Sequence, residues 1–307
     1  MTGKQRVEIA GRQLSVSNLE KVLFPEVGVT KAQVIDYYVR IAPVLLPHLA
    51  GRPVTFTRWP DGVDGQAFYE KNSARHAPEW VRRVTVPSPG SSRGRETLDM
   101  VVLEDVADLA WAANLAALEV HVPQWQVDDD GEPQLPDLLV LDLDPGPQTG
   151  IAECCAVAER LGARLEADGL DPVVKTSGSK GMQVYAPIVA ADRDHPSRYA
   201  KRLAQELSAE TPDDVVWRME KALRPGKVLI DWSQNNPAKT TVAPYSLRAR
   251  VGATVSTPIG WDEVDAVRDG ELDPAALRFG TEEVLARVEE YGDLFDVANA
   301  TRAPLPD

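Results

Sequence analysis

The chain has 307 residues, 43% of them apolar and 26% charged, enough for one large domain or two modest ones with a real core. A formal net charge of −14 argues against indiscriminate nucleic-acid binding, and no apolar run approaches the ~20 residues of a membrane span. The amino terminus leads into no hydrophobic signal region, so a cytoplasmic location is the default. The two adjacent cysteines, Cys154 and Cys155, and the scattered histidines His48, His76, His121 and His195 leave no disulfide framework and no CxxC-type zinc site.

Thr30-Lys31-Ala32-Gln33 is a capping-box pattern, and the apolar stripe Val34, Ile35, Tyr38, Val39 and Ala42 predicts a helix over Lys31–Leu49, stopped by Gly51. Val54 to Arg58 alternates as a strand, and Gln66 to Glu70 reads as a second. Pro87 to Arg95 reads as a hairpin turn or mobile loop, Asp105 to Ala117 as a helix, and Val127 to Pro136 as an acidic, turn-rich loop. Leu138 to Asp144 is a strand broken by Pro145-Gly146-Pro147, and Ile151 to Asp168 is a helix ending at Gly169. Short strands at Val173–Thr176 and Met182–Pro187 flank Ser177-Gly178-Ser179-Lys180-Gly181. A helix over Pro196–Ala209, a strand over Val228–Asp231 and a helix over Glu282–Glu290 complete the series. Helices and strands mix without a βαβ rhythm, so the expected class is α+β.

The charge is unevenly spread. Residues 1–100 carry a net +4 and residues 151–250 a net +2, whereas residues 101–150 hold no Lys or Arg and carry −11, and residues 251–307 carry −9. A basic amino-terminal lobe beside an acidic segment suits a protein that grips phosphates and polarises them with metal ions.

Within that acidic segment, side-chain alternation puts Asp142 and Asp144 on one strand face and Leu139, Leu141 and Leu143 on the other. Two acids facing one way repel unless a cation sits between them, and a divalent ion is the simplest partner. The pair alone fits a polymerase or primase metal site, a haloacid-dehalogenase-type phosphatase, a sugar-nucleotide transferase, or a strand that merely ends in solvent. Thr176 to Gly181 offers two glycines, hydroxyls, backbone N–H groups and Lys180 to a phosphate, though a plain hairpin turn would look similar. It lacks the Walker A spacing. Asp231 supplies a third acid at a strand end, followed by Lys239, Arg248 and Arg250. Three acids from two strand ends meet the requirement of a two-metal site.

Together these segments resemble the polymerase domain of bacterial DNA ligase D, in the archaeo-eukaryotic primase superfamily. The carriers are Leu141-Asp142-Leu143-Asp144-Pro145-Gly146, Thr176 to Gly181, and Ile230-Asp231-Trp232-Ser233-Gln234-Asn235 through Lys239-Thr240-Thr241 to Ala243-Pro244-Tyr245-Ser246-Leu247-Arg248. Asn18 to Pro25, Gly51-Arg52-Pro53 and Ala117-Leu118-Glu119-Val120-His121 also match, so the likeness runs in order from about Ser17 to Leu294. It implies one primase-polymerase catalytic domain over residues 1–307, with 295–307 a tail, and sets the phosphatase reading aside.

The resemblance also implies roles. Asp142, Asp144 and Asp231 would bind two Mn²⁺ or Mg²⁺ ions, and His121, Ser177, Lys180, Arg224 and Arg248 would line the triphosphate pocket. Lys21 and Lys31 would capture a DNA 5′-phosphate, and Phe68 and Tyr69 would stack on the template. The implied activity is template-dependent transfer of NTPs or dNTPs to a 3′-hydroxyl at gapped or broken double-stranded DNA, in end joining or excision repair. A separate ligase or end-binding protein would be a partner, and no membrane is involved. The family loop continues SGxKGxH, whereas this chain places Gln183 at the histidine position. Gln183 can still hydrogen-bond a phosphate but carries no charge, which keeps open a catalytically weakened module that only binds DNA ends. A template-independent enzyme acting on small phosphates or sugar nucleotides is the third reading. No ligase or nuclease module fits in 307 residues, so a stand-alone polymerase domain is expected.

Overall fold

The structure, a computed structural model, describes residues 4–88, 94 and 96–307. The first long helix spans Lys31–Leu49, as expected, because Thr30 and Gln33 exchange the two capping-box hydrogen bonds. Its stripe of Val34, Ile35, Tyr38, Ile41, Ala42 and Leu45 is buried. With the helix Val106–Asn114, it backs a four-stranded sheet ordered Thr241–Val242, Ala117–Val122, Thr55–Arg58, Phe68–Glu70. The helix expected over Asp105–Ala117 is therefore shorter. Asp105 caps it, Ala116 turns the chain at φ 56°, and Ala117 already opens a strand that buries Leu118 and Val120 on its period-two face.

A seven-stranded sheet forms the other half. Its main path runs Val215–Val216, Val228–Asp231, Leu138–Pro145, Met182–Val189, Val173–Thr176, Pro258–Ile259, and Ala303–Pro304 pairs the outer end of Met182–Val189. Helices Ile151–Ala167 and His195–Glu210 carry their apolar faces (Cys154, Leu161, Leu165; Tyr199, Leu203, Leu207) into the same core cluster that holds Leu141, Leu143 and Tyr38. One continuous core thus joins the two sheets. The α+β expectation holds, and Leu138–Pro145 lies mid-sheet with antiparallel neighbours on both sides.

The segments flanking the expected Pro87–Arg95 turn, Arg82–Pro87 and Thr97–Val102, pair as an antiparallel hairpin. Residues 89–93 and 95 lie outside the described residues. Two elements carry little sequence signal: the largely exposed hairpin Gln5–Ile9/Arg12–Val16 and the eight-residue helix Trp261–Arg268. Among the described residues no helix is long and apolar enough to cross a membrane.

Candidate active site

The site is assembled by strand register. Asp142 pairs directly with Asp231 across neighbouring antiparallel strands, and Asp144 shares Asp142's face two residues on. Leu141 and Leu143 point the other way and are fully buried, which fixes the face the acids take. One carboxylate oxygen from each of Asp142, Asp144 and Asp231 lies within 4.8 Å of the other two. Burial, then the charges of Asp144 and Asp231, push Asp142 up to about 7 despite the amide of Gln183. Asp144 is raised by burial and by Asp231, with Arg224 pulling it back. The backbone N–H of Ser233 and the amide of Gln234 donate to Asp231 at 3.0 and 2.8 Å. Carboxylates this close, all-oxygen and short of positive charge, fit a divalent cation.

Beside the acid strand, Ser177 to Gly181 forms a tight loop closed by Ser177 N–H donating to the Gly181 carbonyl at 2.9 Å. Gly178 takes φ 65°, and a Cβ there would meet the Val255 carbonyl at 2.6 Å, so only glycine suits the turn. A Cβ on Gly181 would come within 2.0 Å of the Leu143 carbonyl oxygen, between the first two acids. The phosphate-type loop is thereby locked against the acid strand. Lys180 is exposed at its tip and the Ser177 hydroxyl accepts from Ser179 N–H.

Arg248 bridges this loop to the second sheet. Its guanidinium donates to the Ser177 carbonyl at 2.5 Å and to Glu119 at 3.0 Å. His121 meets the other oxygen of Glu119 at 3.0 Å. Burial works against the charged form of Glu119, but the His121 hydrogen bond and the Arg248 charge hold it down at about 2. Residue typing had singled out His121 and Arg248 and not the acid that fixes both. The available signal was its place on the same strand face as His121, two residues away. Arg224 sits where its backbone abuts Gly146, just beyond the acid strand, and its Nε is buried without a hydrogen-bond partner.

The other expected residues fall as follows. Gln183 does not face open space beside the loop: it is 4% exposed, donates its amide to Asp142 at 2.9 Å and accepts from Lys175 at 2.6 Å. Lys21 and Lys31 come together. The Lys31 N–H donates to the Lys21 carbonyl at 2.8 Å, the Lys21 ammonium pairs with Asp61 at 2.8 Å, and that of Lys31 donates to the Ser17 carbonyl at 2.7 Å. Phe68 and Tyr69 are both exposed on the sheet's edge strand, but as consecutive residues they project to opposite faces. The Tyr69 hydroxyl lies 3.3 Å from that of Thr240.

Three carboxylates that could hold a metal, beside a Ser/Gly/Lys loop and two arginines, suit a nucleotidyltransferase. Residues 30–295 match the model of the LigD primase-polymerase domain, and the chain belongs to that family. It is 42% identical over 306 residues to the multifunctional non-homologous end joining protein LigD of Mycolicibacterium smegmatis, covering 99% of this chain and 38% of that protein. The bifunctional LigD of Bacillus subtilis is 29% identical over 284 residues. The polymerase domain of Mycobacterium tuberculosis ligase D, solved in complex with DNA, superposes with a TM-score of 0.86 at 42% identity, covering 94% of this chain and 99% of that one. The chain therefore spans well under half the length of the curated relatives it matches.

Proposed function

We propose that residues 1–307 act as one catalytic unit that extends 3′-hydroxyl ends at gapped or broken double-stranded DNA, template-dependently, with NTPs or dNTPs, in non-homologous end joining. The observation that carries this reading is the convergence of Asp142, Asp144 and Asp231 within 4.8 Å, beside a glycine-locked Ser/Lys loop. Family membership and the likeness to a DNA-bound polymerase domain support it.

In this mechanism Asp142, Asp144 and Asp231 would hold two Mn²⁺ or Mg²⁺ ions, which would supply Lewis acidity to the phosphoryl transfer. Ser177 and Lys180 bind the triphosphate, and Arg224 and Arg248 neutralise charge that develops on it. Glu119 holds Arg248 and His121 in place by fixed hydrogen bonds, so neither has to reorganise during the reaction. Lys21 and Lys31 take the downstream 5′-phosphate, and Phe68 or Tyr69 stacks on a template base, a contact worth roughly 1–3 kcal/mol.

The test is primer extension on a gapped, 5′-phosphorylated template with Mn²⁺ and each nucleotide class. Extension that persists in Asp142→Ala and Asp231→Ala refutes the assignment. Turnover without template would favour the small-phosphate reading instead.

A further inference from the structure

Among the described residues, Lys175 is the one lysine with no exposed surface, and it lies in register with the acids. Four residues sit directly opposite one another across four adjacent strands: Lys175 with Gln183, Gln183 with Asp142, Asp142 with Asp231. Direct cross-strand partners have their Cβ atoms about 5 Å apart, so one row of the sheet runs from a buried lysine to two of the acids.

The chemistry along the row is directional. The Lys175 Nζ lies 2.6 Å from both Gln183 Oε1 and Ser256 Oγ, with the Tyr185 ring 5.7 Å away. Ser256 spends its own proton on the Thr176 carbonyl at 3.0 Å, so it accepts from Lys175. The other charged groups acting on Lys175 are Arg248 and Asp142, of opposite sign. Burial, then the Arg248 charge, lowers Lys175 well below the usual lysine range, yet charged or neutral its nitrogen keeps N–H groups for both oxygens it touches, so the Gln183 side-chain oxygen faces it. The Gln183 amide nitrogen then faces Asp142, where it donates at 2.9 Å. Turned over, the amide would set N–H against the lysine N–H and oxygen against the carboxylate, two unfavourable contacts in a buried setting.

We propose that Lys175 is a positioning residue: it fixes the orientation of the Gln183 amide, so that a permanent donor aims the Asp142 carboxylate at the divalent cation. This rests on the metal site proposed above and gives Gln183 a role other than gripping phosphate.

The test is Mn²⁺ binding to the full chain, read from the electron paramagnetic resonance of the free ion, without nucleotide or DNA. Groups that orient a metal's ligands typically contribute 10–100-fold to its affinity. Lys175→Met and Gln183→Leu are each expected to weaken Mn²⁺ binding about tenfold. The double variant should be no weaker than Gln183→Leu alone, because the lysine acts only through the glutamine. Lys175→Met leaves the buried Gln183 and Ser256 oxygens without their donor, so a lowered melting temperature is expected and Mn²⁺ binding is read well below it. Should the methionine variant unfold early, Lys175→Leu serves in its place. Wild-type affinity in the lysine variant, or losses that multiply in the double variant, overturns the inference alone. An Asp142→Ala variant that still binds Mn²⁺ normally takes down the metal site itself, and the inference with it.

Discussion

Replacing Gly181 by alanine perturbs the site without touching a charge. The added methyl would sit 2.0 Å from the Leu143 carbonyl oxygen and 3.1 Å from Pro145 Cδ. Ordinary contact is about 3.5 Å, so the loop and the acid strand must separate by on the order of 1 Å or more. Neither side yields easily. Leu143 is fully buried on a central strand, and the loop is pinned by Arg248 on Ser177 and Thr254 on Gly178. Overpacking of this kind costs about 1–3 kcal/mol of stability, whereas a 1 Å misplacement of reacting groups can cost about 100-fold in rate. Gly181→Ala should therefore fold, with a modestly lowered melting temperature, and lose about 100-fold in kcat/KM for extension. Steady-state extension kinetics beside a thermal melt measure both. A variant that melts lower yet extends at the wild-type rate would show that the loop's seating on Leu143 does not position the chemistry.

Glu119→Ala strands the guanidinium of Arg248, whose side chain is only 12% exposed, and should cost about 3–5 kcal/mol in denaturant unfolding; a loss below 1 kcal/mol would mean the ion pair is not organising this region. Asp142 is raised to about 7 in the metal-free chain, so its proton must leave on metal binding, and Mn²⁺ affinity should climb about tenfold per pH unit below about 7 and level off above it. The same shift makes the metal-free chain lose stability as pH rises from 3.8 towards about 7, because the folded state holds the proton more tightly than the unfolded one; a chemical-denaturation series with pH that rises over this window contradicts it. Burial, then Lys21, lowers Lys31 to about 8, so preference for a 5′-phosphorylated gap should be full below that pH and fade above it, and binding that ignores pH removes Lys31 from phosphate capture. Lys21→Ala should cost about 1.5–3 kcal/mol of that preference by filter binding while leaving affinity for unphosphorylated DNA unchanged.

What could be read from the residue string depended on how local each feature is. The Lys31–Leu49 helix was legible because its capping box and apolar stripe lie within a few turns. Asp142 and Asp144 were legible because strand alternation makes them neighbours without knowledge of the fold. Asp231 is legible as an acid at a strand end, but its meeting with Asp142 is a matter of cross-strand register that no short-range pattern encodes. Glu119 and Lys175 escaped for the same reason: Glu119 meets Arg248 from 129 residues away, and Lys175 meets Ser256 from 81. The misplaced end of the second helix turned on Ala116, whose left-handed φ of 56° an alanine does not advertise. The sequence shows that Gln183 can hydrogen-bond a phosphate, but its contacts with Lys175 and Asp142 are cross-strand and leave no local trace.

The proposed chemistry requires metal ions held jointly by Asp142, Asp144 and Asp231 beside a nucleoside triphosphate. Crystals grown with Mn²⁺ and a non-hydrolysable nucleoside triphosphate, measured at the manganese absorption edge, locate the ions directly. Two anomalous peaks within coordination distance of these carboxylates, with Asp231 a ligand, are the predicted result. Peaks elsewhere, or an Asp231 that ligates neither ion, would contradict it.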